Sequence, residues 1–119
     1  MARKIVKADK IVKSEKIVKS DYDDEFDILY IYKDGKKAKF SVEVLSNFVI
    51  DVGFKGEVVA IEIFDASKVL KVPRKELKSI KAAKLATLAR GNFYGVTYGM
   101  QLRNSSLESE LQIPVGAIR

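Results

Sequence analysis

Short runs in which apolar and polar residues alternate constrain this chain more than any other feature. In residues 40–44 the apolar side chains occupy every second position and Ser41 and Glu43 lie between them, which is the pattern of a β-strand with one wet face. Apolar runs of strand length, rich in β-branched and aromatic residues, also cover 26–32, 48–51, 58–64, 93–103 and 107–113. The chain is therefore predicted to consist mainly of antiparallel strands.

Turn residues separate these runs. Asp34-Gly35 is a dipeptide that typically joins two paired strands. Asp51 is expected to accept hydrogen bonds from the backbone of its own turn, and Gly53 or Gly56 to supply a positive φ there. The predicted fold class is α+β, mostly antiparallel β: a β-meander over 22–65, a short helix, and a second three-strand unit.

The region after residue 70 is less regular. Pro73 favours a short helix near 73–80, because proline fits the first turn of a helix. Residues 81–90 fit either a continued helix or a strand that turns at Gly91-Asn92. Lys81 and Lys84 do not keep the parity of a strand, which favours a helix slightly, so both structures remain open from the residues alone.

A lysine-rich repeat opens the chain. The phrase KIVK occurs at 4–7, 10–13 and 16–19, and residues 1–20 contain seven basic and two acidic residues. Its apolar positions form no helical stripe. We interpret 1–20 as an extended or flexible lead-in, with an added strand or a helix as alternatives, and 21–119 as a single β-rich domain. Removing residues 1–19 is then expected to leave the melting temperature nearly unchanged.

Composition excludes several kinds of site. The 119 residues suit one small domain and include neither cysteine nor histidine, so disulfides, thiolate nucleophiles and histidine bases or ligands are excluded. No apolar run is long enough to span a membrane, so we expect no membrane partner and a cytoplasmic location. Abundant lysine and only two glutamines give a thermophile-like composition.

Charge divides the chain into zones. Residues 21–70 hold eleven acidic and six basic residues, whereas 71–91 hold seven basic and one acidic residue. The basic stretch is a candidate contact for a phosphate backbone, and Phe93, Tyr94 and Tyr98 follow it as residues that stack on bases or pack in a core. The candidate nucleic-acid residues are Lys71, Arg74, Lys75, Lys78, Lys81, Lys84 and Arg90.

The acidic zone carries a family resemblance. The stretches YDDEFDILYIY and NFVIDVGFKGEVVAIEIFDASKVL resemble the domain of unknown function 2283 family over about residues 22–70. Ala60 departs from the pattern, where the family usually has glycine. The matching positions are Tyr22, Asp23, Glu25, Asp27, Leu29, Tyr30, Ile31, Asp51, Gly56, Ile61, Glu62, Ile63, Ala66 and Ser67.

The resemblance implies a compact antiparallel meander followed by an added C-terminal region, and longer family members favour a strand at 81–90. It implies no established activity. Family members are often encoded beside small ribonuclease-like toxins, so the resemblance suggests an antitoxin-like role by analogy.

The carboxylates of the acidic zone form no regular ligand spacing, so no catalytic residue, metal or cofactor is predicted. Residues 23–25 are expected to form a solvated loop, with Asp51 and Asp65 capping turns. Glu62 differs, because it lies on a strand that is otherwise apolar on both faces and needs a buried partner such as Tyr30. Glu62→Ala is expected to cost about 1–3 kcal/mol.

These features favour a non-enzymatic protein-binding module, antitoxin-like, whose acidic zone recognises a basic protein partner such as a small ribonuclease. The alternative is a nucleic-acid-binding protein that uses the basic stretch 71–90. Enzymatic activity would be limited to carboxylate or metal chemistry. Exposed strand edges are an aggregation hazard that self-pairing relieves, so we also expect a homo-oligomer.

Overall fold

A computed structural model describes residues 16–114 of the chain. These residues form eight strands and two short helices. In chain order the elements are β1 (Lys16–Asp23), β2 (Ile28–Tyr32), β3 (Phe40–Val44), β4 (Phe48–Val52), β5 (Val58–Phe64), α1 (Ala66–Leu70), α2 (Arg74–Leu77), β6 (Ala82–Arg90), β7 (Phe93–Gln101) and β8 (Ser106–Pro114).

The strands form one antiparallel sheet in the order β3-β4-β5-β2-β1-β6-β7-β8, curled into a half-barrel. The fold is therefore mostly β, and the predicted α+β class overstated its helical part. α2 covers only four residues inside the predicted helix 73–80, and α1 was not predicted. Among the described residues, neither helix is long or apolar enough to cross a membrane.

The inner face of the sheet holds the core. Leu29 and Ile31 of β2, together with Ile61 and Ile63 of β5, have no exposed surface. Leu85 of β6 lies in the same cluster, as do Val96 and Tyr98 of β7, and the helices contribute Ala66 and Leu77. One continuous core thus joins both halves of the sheet.

The predicted meander is incomplete. β3, β4 and β5 pair in sequence, but β2 pairs with β5 and β1, and not with β3. The turn around Gly35 exists, with φ at 80°, yet residues 33–39 carry the chain past two strands instead of closing a hairpin. The apolar β2 gains two strand neighbours in this way, whereas the half-exposed β3 suits an edge.

The segment 81–90 contains a strand and no helix, because β6 covers Ala82–Arg90, and this decides between the two alternatives that the sequence left open. Lys81 lies just before β6, so the two lysines do not have to lie on the same face of the strand. Within the strand, Lys84 is exposed to solvent and the next residue, Leu85, is buried in the core. A two-residue turn at Gly91-Asn92 pairs Arg90 with Phe93, and Gly91 adopts the positive φ of 58° that such turns use. β6, β7 and β8 complete the predicted second three-strand unit.

The end of the lysine-rich repeat is a central strand. Residues 16–20 belong to β1, which pairs with β6 through Lys16–Val18 and with β2 through Lys19–Asp23. The boundary predicted at residue 20 therefore falls inside a strand, and the alternative of an added strand describes 16–20. The first two copies of the repeat lie outside the described residues.

We therefore predict that Val18→Ala destabilises the protein by about 1–3 kcal/mol, since Val18 is 7% exposed within the core cluster. This replaces the expectation that residues 1–19 can be removed without effect. Lys19→Ala is the matched control, because its surface ion pair with Asp34 contributes at most about 1 kcal/mol. Chemical denaturation measures the stability of both variants. Equal denaturation midpoints for Val18→Ala and wild type would show that Val18 in β1 does not contribute to stability.

Candidate functional site

The outer face of β1–β5 gathers carboxylates from strands that are distant in sequence. Strand register aligns Glu43, Val49, Glu62, Tyr30 and Asp21 in one row across five strands. The neighbouring row contains Ser41, Asp51, Ala60, Tyr32 and Lys19. We call this surface the acidic face and define it by Asp21, Asp23, Glu43, Asp51 and Glu62 around Tyr30 and Tyr32.

Two tyrosines occupy its centre. The rings of Tyr30 and Tyr32 stack with centroids 4.7 Å apart and an interplanar angle of 23°. Burial raises the pKa of Tyr30, and the charges of Asp51 and Glu62 raise it further, which shows how near those carboxylates lie to the phenol. The face thus combines a half-buried, stacked aromatic pair with carboxylates on both sides of Tyr30.

The acidic face corrects two predictions from the sequence. Asp51 lies within β4 and accepts a hydrogen bond from the Ser41 hydroxyl at 2.6 Å, so it does not cap its own turn. Glu62 lies opposite Tyr30, as expected, but is half-buried on the outer face and not enclosed. The cost predicted for Glu62→Ala rested on burial that the structure does not show.

The carboxylates are spread along the ladders. An apolar or aromatic residue separates each acidic neighbour in the Glu43–Asp21 row, which lowers like-charge repulsion between adjacent strands. Within residues 16–114, no group of three or more acidic side chains converges closely enough to hold a metal ion. The geometry is suited to contacting several separated cations on a partner surface.

Other signature residues of the family form a structural cluster around Asp27. This carboxylate is only 3% exposed and accepts hydrogen bonds from the Tyr22 hydroxyl at 2.6 Å, the Ser67 amide at 3.0 Å and the Ser67 hydroxyl at 2.8 Å. Its backbone carbonyl accepts the Ala66 amide at 2.9 Å. The cluster fastens the start of α1 to the turn between β1 and β2.

Protonation follows from these contacts. Burial alone would raise the pKa of Asp27, but hydrogen bonds from Tyr22 and Ser67, with the nearby Arg74 charge, hold it below its usual range. Burial and the bond to Asp27 raise the pKa of Tyr22 to about 12. Asp27 is therefore an anion at neutral pH, and the hydrogen bonds from Tyr22 and Ser67 stabilise its charge.

The turn before Asp27 neutralises part of the basic stretch. Asp23 accepts a hydrogen bond from the Phe26 amide at 3.1 Å, and Asp24 pairs with Lys78 at 3.3 Å. Arg74 donates to the Asp24 carbonyl at 2.7 Å and lies 3.9 Å from the Asp27 carboxylate. Asp24 thus contacts two residues of the basic stretch, and residues 23–25 are exposed as predicted.

Three of the seven predicted nucleic-acid residues are held in ion pairs. Besides Arg74 and Lys78, Lys84 pairs with Glu108 at 3.3 Å. Lys71, Lys75 and Lys81 are exposed, but they lie after α1, on α2 and before β6. The Arg90 side chain lies outside the described side chains. Tyr98 is 2% exposed in the core, so it is not placed to stack on bases.

Gly56 has the structural role expected of a signature glycine. Its φ of 84° closes the turn before β5, where its amide donates to the Gly53 carbonyl at 3.1 Å. Gly53 needs no positive φ, but a Cβ there would lie 2.9 Å from a Val59 methyl carbon. Both glycines shape the hairpin that carries Asp51.

Residues 19–67 match the family model described as "Protein of unknown function (DUF2283)". The resemblance inferred from the sequence is therefore confirmed for this segment, and the rest of the chain lies outside it. The matched segment contains the acidic face and the Asp27 cluster in full. The three strands β6–β8 lie beyond it.

Two curated proteins are similar in sequence to part of the chain. An uncharacterised protein, MJ0789, from Methanocaldococcus jannaschii is 45% identical over 57 residues, which are 48% of this chain and 48% of that protein. A Methanosarcina mazei protein with the provisional name hypoxanthine phosphoribosyltransferase is 36% identical over 61 residues, 51% of this chain and 49% of that protein. The chain thus spans about half the length of each. No solved structure matches it.

Tyr22→Phe removes one donor from the buried Asp27 carboxylate, so we predict a loss of about 1–3 kcal/mol in unfolding free energy. Tyr30→Phe makes the same chemical change on the acidic face and serves as the control, with a loss below about 0.5 kcal/mol. Urea denaturation of both variants measures the difference. Equal losses would show that the Tyr22 bond adds no stability.

Acid pH tests the Asp27 charge itself. Because the folded-state pKa lies below the unfolded value of 3.8, the unfolded chain binds the proton more tightly and stability rises with pH across that range. The contribution is present above the unfolded value and is lost as pH falls through the folded one. We predict that Asp27→Asn is destabilised at pH 7 and that its deficit shrinks at pH 3. A deficit of constant size would contradict this.

Proposed function

We propose that the β1–β5 half of the sheet is a non-enzymatic protein-binding module whose acidic face recognises a basic segment of a partner protein. The observation that carries the proposal is the register, which brings carboxylates of four strands onto one face around stacked tyrosines. Tyrosine is enriched at protein interfaces, since its ring offers apolar area and a polar tip with little entropy to lose.

The chemistry of the face favours lysine and arginine. Carboxylates form charge-assisted hydrogen bonds with both, and the tyrosine rings add cation–π attraction. Lys19, the basic residue in these rows, is paired with Asp34 at 3.3 Å and so adds little repulsion to a basic partner. An extended basic strand or loop of a partner would meet successive acidic rows.

The family resemblance suggests, by analogy, that this binding serves an antitoxin-like role. A small ribonuclease that binds RNA presents cationic surface, and an acidic face neutralises such a surface by direct contact. The Methanosarcina protein's name describes an activity of that protein, and its similarity to this chain covers only half of each. We therefore place the proposal on the acidic face and not on a transferred enzyme activity.

Binding of nucleic acid by the basic stretch is the second candidate function from the sequence. The geometry favours it less than protein binding by the acidic face. Three of the seven proposed cations are paired with Asp24, Asp27 or Glu108. Phosphate contacts would have to break those pairs.

Glu62→Lys tests the acidic face, with Glu25→Lys as a control that changes the net charge equally on an exposed loop. Calorimetry at physiological salt measures the affinity of each variant for a lysine- and arginine-rich peptide, and then for a small basic ribonuclease. We predict that Glu62→Lys weakens binding by about tenfold or more and Glu25→Lys by less than about threefold. Equal effects would indicate nonspecific charge attraction, and tighter binding to oligonucleotides than to the basic probes would support the alternative function.

A further inference from the structure

Two exposed phenylalanines lie at the same end of the sheet. Phe54 is 68% exposed in the turn between β4 and β5, and Phe93, at the start of β7, is 44% exposed. The antiparallel register places both positions at the end where β2 finishes. The Tyr94 hydroxyl lies 3.5 Å from the point where a Cβ on Gly56 would stand, so the two turns are close together. The two rings therefore belong to one end surface of the molecule.

The core does not use these two rings. Neither Phe54 nor Phe93 belongs to the described core cluster or to the half-buried residues packed against it. Turns usually carry glycine, asparagine, aspartate or serine, which favour turn conformations. Phe54 instead keeps a large apolar surface in water at a turn. A partner that removes this surface from water gains from its burial.

A lysine-rich loop lies at the same end. Residues 33–39 (KDGKKAK) connect β2 to β3, and the Lys39 amide donates to the Val52 carbonyl at 2.7 Å, which holds the loop against the end of β4. Lys55 follows Phe54 directly in the neighbouring turn. The exposed lysines of this end are Lys36, Lys37, Lys39 and Lys55.

The acidic groups at this end are already engaged. Together, segments 33–39 and 53–57 hold five lysines and two acidic residues, a net charge of +3. Asp34 is paired with Lys19 at 3.3 Å, and the Glu57 carboxylate accepts the backbone amide two residues before it at 3.1 Å. The lysines that form no ion pair with any described side chain are Lys36, Lys37, Lys39 and Lys55.

A third exposed phenylalanine provides a comparison. Phe26 is 65% exposed, but it lies at the opposite end of the sheet, in the turn after Asp24 and Glu25. The exposed ring at that end is thus next to negative charge, whereas Phe54 is next to positive charge. Apolar and cationic groups are combined at the end that carries Phe54.

We propose that this end docks on the surface of an anionic phospholipid bilayer. We call it the basic rim and define it by Phe54, Phe93, Lys36, Lys37, Lys39 and Lys55. The rings enter the boundary between headgroups and acyl chains, and the ammonium groups contact the anionic headgroups. Each lysine near such a surface is worth about fivefold in affinity. The sequence predicted no membrane partner because it has no spanning segment, and docking at the interface requires none.

Shape favours a bilayer over a single strand of nucleic acid. Proteins that bind single strands combine a basic groove, which follows the phosphates, with aromatic rings on which bases stack. Here the rings stand at the ends of two hairpins, and the lysines lie on a connecting loop and a turn. The rim therefore consists of projecting turns, and a flat interface can contact them all at once.

Vesicle co-sedimentation of the full-length chain at physiological salt tests the proposal. The probes are vesicles of phosphatidylcholine alone and vesicles that also contain phosphatidylserine. The test variants are Phe54→Ala and the double variant Lys36→Glu, Lys37→Glu. The matched controls make the same changes at exposed positions of the opposite end, and they are Phe26→Ala and the double variant Lys75→Glu, Lys81→Glu.

We expect the wild type to bind the phosphatidylserine vesicles at least about tenfold more tightly than phosphatidylcholine alone. Phe54→Ala is expected to weaken this binding by about threefold or more, and the lysine double variant by about tenfold or more. Each control is expected to change it by less than about twofold. Circular dichroism confirms that each variant is folded.

Three results would overturn the proposal. The first is a wild type that does not prefer the phosphatidylserine vesicles. The second is an equal loss in the test variants and their controls, which would indicate general charge attraction. The third is tighter binding to a single-stranded oligonucleotide than to the anionic vesicles, lost in the same two test variants, which would assign the basic rim to nucleic acid.

Discussion

The pairing of β1 with its two neighbours joins the halves of this protein. On one side β1 completes the sheet of β2–β5, and on the other it reaches β6 through three residue pairs, Lys16–Leu85 to Val18–Ala83. Three pairs make a short seam, so continuity of the core beneath it matters as much as the ladder. Val18, Ile31 and Leu85 belong to that one core, which makes the two halves depend on each other.

Asp27 fixes the geometry that the acidic face needs. It adopts φ 57°, a left-handed conformation that aspartate tolerates better than most residues, and its hydrogen bonds with Tyr22 and Ser67 hold it there. The turn from β1 into β2 then sets Tyr30 opposite both Asp21 and Glu62. Part of the family signature therefore supports the face without belonging to it.

Local pattern predicted the strands well, because alternation depends only on which side of a segment is buried. Strand order depends on contacts between distant segments, which the local pattern does not contain. Asp34-Gly35 does form a turn, but β5 and β4 lie between the two strands that it connects, β2 and β3. The position of β1 was hidden for the same reason. Its lysines dilute both faces, and only its neighbours, the buried Ile31 and Ala83, show that a half-polar strand is held at the centre.

The acidic face was foreseeable as composition but not as geometry. Eleven acidic residues in 21–70 predicted negative charge, whereas nothing local distinguished Glu62, which faces outward, from Asp27, which is enclosed. The same limit applied to the basic stretch, since its ion pairs with Asp24 and Glu108 join residues tens of positions apart. Opposite charges far apart in sequence neutralise each other across the fold. Sheet register gathers other carboxylates around Tyr30 and Tyr32, away from those ion pairs, and this separation is what supports the proposal of a cationic partner.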